Sequence, residues 1–275
     1  MPGTLFVVAT PIGNLADASP RAIETLRAAD LVACEDTRTT RTLLAHYGID
    51  AKTVALHEHN ERAASAALVK DLQAGKNVAL VSDAGTPGLS DPGALLVAAA
   101  HRAGIRVSPL PGPSATAAAF SAAGFPATEF HFAGFLPASG KARRDAIAAL
   151  DAPWPVVLYE APHRIERTLA ELAARLGAGR EIAIARELSK KFEEVARLTL
   201  GQAAAWLKAH PHRARGEFVI VLAPGEARAA AAIDADRLLE ALLESLSPSD
   251  AAKLAARMTG VPKAVLYKKA LARAK

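Results

Sequence analysis

The side chains of this chain that are best suited to acid–base chemistry follow short apolar runs. Glu160 and His163 follow the run Val156–Tyr159, and Lys190 follows the run Glu181–Ala185. A carboxylate, an imidazole and an amine are the groups that most often move protons in enzymes. We treat the three as candidate catalytic residues, because together they can serve a proton transfer if the fold brings them to one place.

A second candidate site is the stretch 81–93, which reads VSDAGTPGLSDPG. It joins a predicted strand at 77–81 to a predicted buried helix at 94–100. The connection is about twice as long as the usual two to six residues, and its Gly, Pro, Ser and Asp residues favour a shaped, rigid loop. Ligands of open α/β sheets bind outside the carboxyl ends of the strands. The pattern therefore predicts a ligand-binding loop, and the alternative is a structural loop carrying two turns.

Polar residues follow two further predicted strands. Glu35-Asp36-Thr37-Arg38 follows the strand 31–34, and it indicates either a substrate-binding cluster or the capped start of a helix with arginines facing water. His57 and His59 form an H-x-H that can ligate metal. No third His or Cys follows at a ligand-like spacing, so a hydrogen-bonded loop start is favoured and no metal site is predicted.

These sites need a scaffold of alternating strands and helices, which predicts a mostly parallel sheet in an N-terminal α/β domain at 1–112. The prolines and glycine of 109–113 then form a predicted hinge. A second α/β domain with a mixed sheet is predicted at 113–225. An Ala-rich linker at 227–232 leads to a C-terminal helical segment at 233–275.

Composition narrows the class of protein. The 275 residues are 51% hydrophobic and 22% charged, with a net charge of +5. Cys34 is the only cysteine, which excludes an intrachain disulfide and favours a reducing cytoplasm. No apolar run is long enough to span a membrane, and the start lacks the basic region of a signal peptide. The sequence has no P-loop motif, and no G-x-G-x-x-G follows the first predicted strand. A nucleotide site of the P-loop or Rossmann type is therefore not supported.

Two basic stretches are candidates for binding a polyanion. Arg143 and Arg144 lie in the polar segment 138–145, predicted as a flexible loop that leads into a helix. After Asp250 the chain has no acidic residue, and the basic residues there include Lys268 and Lys269. Contact with phosphates is one interpretation, and a solvated basic surface is the other. The two short helices of this segment resemble a helix-turn-helix in outline.

Six loop motifs occur in an order that resembles the ribosomal RNA small subunit methyltransferase I family, which belongs to the tetrapyrrole methylase superfamily. The motifs are VATPIGNL (8–15), EDTR (35–38), VSDAGTP (81–87), PLPGPSA (109–115), YEAPHR (159–164) and ARELSK (185–190). Each motif alone is weak, whereas six in order are specific. Tetrapyrrole-specific members carry Gly-Asp-Pro where this chain has Ser82-Asp83-Ala84, and this departure favours the RNA branch.

The resemblance implies two α/β domains that hold S-adenosylmethionine between them, in a homodimer that methylates the ribose 2′-hydroxyl of a cytidine in the decoding region of 16S ribosomal RNA. Asp36 and Arg38 are then expected to hold RNA. The expected cofactor contacts, carried over by position, are Pro11, Gly13, Asp83, Gly85, Thr86, Ser114, Ala115, Tyr159, Glu217 and Phe218. Two rival hypotheses are a methylase of tetrapyrroles or other small molecules, and a non-catalytic RNA-binding relative.

Overall fold

The computed structural model describes residues 1–225 and 235–273, which divide into two compact units on either side of the Pro224–Gly225 bond. The predicted linker at 227–232 and the first two residues of the predicted C-terminal segment lie outside the described residues, as do residues 274 and 275.

The first half of the chain builds a five-stranded sheet in the order β3-β2-β4-β1-β5, and every neighbouring pair of strands is parallel. The strands are β1 (Thr4–Val8), β2 (Leu31–Cys34), β3 (Thr53–Ala55), β4 (Val78–Val81) and β5 (Arg106–Leu110). The helices are α1 (Pro20–Ala28), α2 (Thr37–His46), α3 (Glu61–Gln73) and α4 (Ala94–Arg102). Both β2 and β4 are buried along their whole length, as expected for a parallel sheet with helices on both faces.

The next part of the chain builds a second five-stranded sheet in the order β6-β7-β10-β8-β9. Its strands are β6 (His131–Phe135), β7 (Val156–Glu160), β8 (Glu181–Arg186), β9 (Glu194–Thr199) and β10 (Phe218–Leu222). The β6–β7 pair is parallel and the other three pairs are antiparallel. The structure thus confirms the predicted combination of a parallel sheet and a mixed sheet.

Helices cover the two faces of this second sheet. They are α5 (Ala115–Ala123), α6 (Gly140–Ala149), α7 (Ile165–Leu176) and α8 (Leu200–Lys208). Helix α5 packs on β7, β8 and β10, whereas α7 packs against α6 and α8. The prediction of a flexible loop at 138–145 is wrong for most of its length, because α6 begins at Gly140 and buries Arg143 and Ile147 on its inner face.

The C-terminal unit consists of α9 (Ala235–Leu243), α10 (Pro248–Thr259) and α11 (Lys263–Arg273). Small and aliphatic side chains form its core, among them Leu239, Ala252 and Leu266. Ser247 caps α10 by accepting a hydrogen bond from the backbone of Asp250, and Gly260 ends it in the left-handed conformation. None of the described helices has the length and apolar character needed to cross a lipid bilayer.

Candidate active site

Two loops at the carboxyl edge of the parallel sheet are joined by hydrogen bonds. The backbone N–H of Thr10, after β1, donates to the oxygen of Gly85 at 2.8 Å, and the N–H of Gly85 donates back to Thr10 at 3.0 Å. The hydroxyl of Thr10 donates to the oxygen of Ser82 at 3.0 Å. Gly85 has a φ of +85°, which residues with a Cβ rarely adopt. The motifs 8–15 and 81–87 therefore form one rigid wall.

The 81–93 loop is also anchored at its far end, by a residue that the sequence analysis did not single out. One carboxylate oxygen of Glu61 accepts hydrogen bonds from the backbone N–H groups of Gly93, at 2.8 Å, and Leu95, at 3.0 Å. A Cβ on Gly93 would lie 2.7 Å from the side chain of Leu80. Glutamate thus caps the start of α4 and holds the loop against β4.

The same loop reaches across to the second sheet. The hydroxyl of Thr86 donates to the oxygen of Pro113 at 3.1 Å, within the predicted hinge. Ser90 adopts a φ of +65° although it is not a glycine, and its Oγ lies 3.1 Å from where a Cβ on Gly134 of β6 would stand. Non-glycine residues in this conformation are strained and concentrate at functional sites.

A cavity of about 400 Å³ lies between the loops of the two sheets. This volume is within the range of roughly 300–1,000 Å³ that is usual for small-molecule sites. Eight predicted residues line it, namely Asp83, Gly85, Thr86, Ala115, Tyr159, Glu160, Glu217 and Phe218. Lining residues that the sequence analysis did not assign include Leu89, Ser90, Asp91, Phe135, Leu188 and Val219. The structure therefore brings together most of the predicted cofactor residues, and Pro11, Gly13 and Ser114 are chain neighbours of lining residues.

Tyr159 is held in place at the wall of the cavity. Its hydroxyl and that of Thr116, in the first turn of α5, are 2.7 Å apart. The rings of Phe132 and Phe135 meet the tyrosine ring edge to face, at centroid distances of 5.0 and 5.5 Å. Burial raises the pKa of Tyr159, and the hydrogen bond from Thr116 opposes that rise. The phenol is therefore neutral at physiological pH and serves as a polar, oriented surface.

Glu160 is committed to structural contacts. The side chain is fully buried, and its Oε1 lies 3.0 Å from Nε of Arg164 and accepts from the N–H of Ala161. Its Oε2 accepts from the hydroxyl of Thr168 at 2.6 Å. Both oxygens are thus occupied, which accounts for how a carboxylate tolerates burial here.

Lys190 bridges the first loop and the second sheet. Its Nζ lies 2.9 Å from a carboxylate oxygen of Glu187 and 2.9 Å from one of Glu217. Its stem lies over Gly13, where an added Cβ would be 2.3 Å from Cγ of the lysine. Burial lowers the pKa of Lys190, but the two carboxylates outweigh it and the net shift is upward. The lysine is therefore a cation. The hydroxyl of its neighbour Ser189 donates a hydrogen bond to Asp17, which follows the first loop.

The third predicted catalytic residue, His163, is exposed in the turn after β7 and does not line the cavity. The structure thus places Glu160 in the cavity wall, Lys190 at its side and His163 outside it. The fold therefore does not bring all three candidates together for a proton transfer, a question that the sequence left open.

Partly buried Asp36 and exposed Arg38 form an ion pair at the start of α2. Asp36 caps the helix by accepting from the N–H of Arg38 at 2.8 Å, and its Oδ2 lies 2.7 Å from the guanidinium. The hydrogen bonds from Arg38 lower the pKa of Asp36 to about 2. The N–H of Asp36 also donates to Asp83 at 3.1 Å. The capping interpretation is confirmed, and the cluster lies beside the cavity through Asp83.

Carboxylates concentrate on one side of the cavity. Asp91 is half-buried, and burial together with the nearby charges of Glu35 and Asp83 raises its pKa to about 6. Burial and Asp83 also raise the pKa of Glu35.

No group of three or more His, Cys, Asp or Glu side chains with a metal-binding arrangement occurs among the described residues. His57 begins a turn, its N–H donating to Asn60 at 2.8 Å.

The structure separates the two neighbouring arginines that were both expected to contact phosphate. Arg144 is exposed. Arg143 is only 2% exposed, and its guanidinium donates to Glu171 at 2.6 Å, to Thr168 at 2.7 Å and to the oxygen of Pro137 at 3.0 Å. The expectation for Arg143 is wrong, because all of its nitrogens point into the packing between α6 and α7.

In the C-terminal unit, Lys268 is exposed on α11. Lys269 is engaged with Asp236 of α9, its Nζ lying 2.9 Å from both carboxylate oxygens. This pair is half exposed, so its attraction is weakened by solvent. Of the two predicted phosphate contacts, Lys268 is the more available.

Comparison with solved structures identifies the fold. A crystal structure of diphthine synthase superposes with a TM-score of 0.60 at 18% identity, covering 80% of this chain and 90% of that one. The uroporphyrin-III C-methyltransferase of Thermus thermophilus, in complex with S-adenosylhomocysteine, superposes with a TM-score of 0.54 at 19% identity, covering 80% and 97%.

Sequence comparison identifies the family. Residues 4–204 match the model of tetrapyrrole (corrin/porphyrin) methylases, and residues 229–274 match the RsmI C-terminal HTH domain. A ribosomal RNA small subunit methyltransferase I of Xylella fastidiosa is 50% identical over 268 residues, which are 97% of this chain and 98% of that protein. The protein of that name from Escherichia coli O157:H7 is 48% identical over 271 residues, 98% and 95% of the two chains. The chain therefore belongs to the ribosomal RNA small subunit methyltransferase I family of tetrapyrrole methylases.

Proposed function

We propose that this protein transfers a methyl group from S-adenosylmethionine to 16S ribosomal RNA, at the ribose 2′-hydroxyl of a cytidine in the decoding region. Relatives of nearly equal length and about half identical sequence carry the name of a ribosomal RNA small subunit methyltransferase. The observation that carries the proposal is the cavity between the two sheets, because five of the six motifs that resemble this family contribute residues to its lining.

The residues that line the cavity suit S-adenosylmethionine. Asp83 and Glu217 offer carboxylates to the positive charges of the ligand, and Leu89, Phe135 and Val219 offer apolar surface to its adenosine part. The positive φ of Gly85 lets the backbone approach closely. When bound, the cofactor supplies an electrophilic methyl group on a sulfonium.

The role of the protein in such a reaction is mainly to position the reactants, because methyl transfer is an in-line displacement. The rigid wall formed by Thr10 and Gly85 fixes one side of the site, and Tyr159, held by Thr116, fixes the opposite side. Lys190 is fixed by Glu187 and Glu217 beside the second sheet, and its neighbour Ser189 donates a hydrogen bond to Asp17, which follows the first loop. These contacts hold the two walls at a constant separation without a proton-transfer step of their own.

RNA is expected to approach from the side of the cavity where Arg38 stands. The side chain of Arg38 is 88% exposed, and the Asp36–Asp83 hydrogen bond links its loop to the cavity. Arg144 and Lys268 are further exposed cations that suit phosphates. Affinity for RNA should then fall steeply as salt is added, because counterions are released on binding.

Two further features belong to the proposal. We expect the protein to work in the cytoplasm, in keeping with its free thiol at Cys34, and to work as a homodimer. We also retain the boundaries 1–112, 113–225 and 233–275 as proposed domains, since the first of these boundaries falls between β5 and α5.

The decisive experiment is methyl transfer to small ribosomal subunits that lack the modification. Subunits and naked 16S rRNA are incubated with the protein and labelled S-adenosylmethionine, and the modified nucleotide is mapped by mass spectrometry of nuclease fragments. One 2′-O-methylcytidine in the decoding region is the expected product. Asp83→Ala should abolish cofactor binding, whereas Asp50→Ala, at an exposed position outside the cavity, should not.

Other outcomes would contradict the proposal. Methylation of a base rather than a ribose would refute the 2′-O assignment. Transfer to a tetrapyrrole without RNA would favour the small-molecule methylase. Absence of cofactor binding in equilibrium dialysis would favour the non-catalytic RNA-binding relative.

A further inference from the structure

Asp91 is distinguished from the other carboxylates of the cavity by having no partner. It lines the cavity and is half-buried, yet among the described residues no hydrogen bond or ion pair to its carboxylate occurs. Its neighbour Ser90 holds the strained φ of +65° and approaches Gly134 on the second sheet. The strained turn therefore presents a free carboxylate between the two walls of the site.

The remaining ionisable groups of the cavity are engaged. Glu160 is bonded through both oxygens, and Glu217 holds Lys190 at 2.9 Å. Asp83 accepts from the backbone of Asp36 and belongs to the loop expected to orient the cofactor. Tyr159 has a raised pKa and is neutral. A base that accepts a proton needs an open lone pair within reach of the substrate, and Asp91 meets that requirement.

We propose that Asp91 is the general base of the methyl transfer, accepting the proton of the ribose 2′-hydroxyl. This inference rests on the proposed function. In the reaction the 2′-oxygen forms a bond to the methyl carbon, the carbon–sulfur bond of the donor breaks, and its electron pair remains on sulfur. The hydroxyl proton passes to the Asp91 carboxylate and then to water.

The surroundings of Asp91 suit this role. The charges of Glu35, after β2, and Asp83, after β4, act on the carboxyl of Asp91. The charge of Asp91 in turn contributes to the raised pKa of Tyr159 of β7. Burial and these two carboxylates raise the pKa of Asp91 to about 6. A base with this pKa is ionised at pH 7 and yet holds a proton far better than an ordinary aspartate.

The first test compares Asp91→Asn with the matched control Asp50→Asn, an exposed aspartate outside the cavity. Single-turnover methylation of unmodified small subunits is measured from pH 5 to pH 8. Loss of a general base lowers rates by roughly 100- to 10,000-fold, and we expect a loss in this range for Asp91→Asn only. The wild-type rate should fall about tenfold per pH unit below about pH 6, and the Asp91→Asn rate should lack this fall.

Binding measurements distinguish a general base from a residue that only binds the cofactor or the RNA. Calorimetry with S-adenosylmethionine and filter binding of small subunits should give affinities for Asp91→Asn within threefold of wild type. A loss of affinity equal to the loss of rate would overturn the proposal, since Asp91 would then bind the cofactor or the RNA. A rate loss under tenfold would overturn it too.

Two measurements do not depend on how well Asp91→Asn folds. Carbon-13 NMR of the side-chain carboxyl in the free protein should show Asp91 titrating near pH 6, and an ordinary aspartate value would refute the inference. Glu35→Gln removes one neighbouring negative charge, so it should move both this titration and the acidic limb of the rate to lower pH. An unchanged limb would also count against Asp91.

These outcomes are separable from failure of the proposed function. If the wild-type protein places no methyl group on a ribose, the proposed function fails whatever Asp91 does. If it forms 2′-O-methylcytidine and Asp91→Asn does so equally fast, only the assignment of the base fails.

Discussion

The two adjacent arginines of α6 offer a sharp test of how burial changes the role of a side chain. Arg143→Met removes a guanidinium that makes three hydrogen bonds, to Glu171, Thr168 and Pro137, while keeping an apolar stem of similar length. Arg144→Met makes the same chemical change one residue later, at an exposed position. The same substitution should therefore act on stability in one case and on RNA affinity in the other.

The expected loss of stability in Arg143→Met follows from these hydrogen bonds. Breaking a fully buried ion pair costs about 3–5 kcal/mol because a charge is left uncompensated. Glu171 is 32% exposed and keeps its bond from Arg167 at 2.8 Å, so we expect a cost nearer ~3 kcal/mol. At roughly 2–4 °C per kcal/mol for a unit of this size, Tm should fall by about 6–12 °C. Surface changes are usually within about 0.5 kcal/mol, so Arg144→Met should shift Tm by no more than about 2 °C.

The assay is thermal unfolding followed by calorimetry, together with salt-dependent binding of small subunits. Burial raises the pKa of Glu171, but the bonds from Arg143 and Arg167 outweigh burial and lower it overall. A carboxylate whose pKa is lowered by folding stabilises the protein at pH values above its ordinary pKa of 4.5. This stabilisation is lost as the pH falls. The Tm difference between wild type and Arg143→Met should therefore be constant at pH 6–8 and narrow below about pH 4.5. Equal Tm values for the two variants at pH 7 would refute the assignment of Arg143 to the packing.

Three further predictions concern the site and the core. Gly13→Ala should lower Tm by several degrees, because the added Cβ would lie 2.3 Å from Cγ of Lys190 and overpacking costs about 1–3 kcal/mol. Thr116→Val should cost about 1 kcal/mol by leaving the hydroxyl of Tyr159 without its 2.7 Å partner. Cys34 is fully buried with a pKa raised chiefly by burial, so a thiol reagent at pH 8 should label it only on unfolding.

Each of these predictions has a control in the same chain. Gly179, like Gly13, lacks a positive φ but faces open space, so Gly179→Ala makes the same substitution without the clash met at Gly13. Ser121→Ala removes a hydroxyl from the exposed side of the same helix as Thr116 and should change Tm less. Labelling of Cys34 in the native protein at the rate of a free thiol would contradict its burial.

Much of the fold is written in the local pattern of the chain. Apolar runs at 5–9, 31–34 and 78–81, each followed by a helix, specify parallel strands, because such strands are buried on both faces and read as continuous apolar segments. Their order along the chain also places the motif loops at one edge of the sheet, so most of the cofactor residues could be predicted. Residues such as Asp83, Gly85 and Tyr159 accordingly line one cavity.

What only the tertiary structure decided is the state of the charged side chains. The sequence alone does not distinguish Arg143 from Arg144, because it does not show which of the two side chains is buried against α7. It likewise favours Glu160 and Lys190 as acid–base groups, whereas Thr168 occupies Glu160, and Glu187 and the distant Glu217 occupy Lys190. Asp91, read from sequence only as part of a loop, is the carboxylate left free. The physical reason is that charge and proton affinity depend on burial and on partners distant in the chain, which only the packed structure specifies.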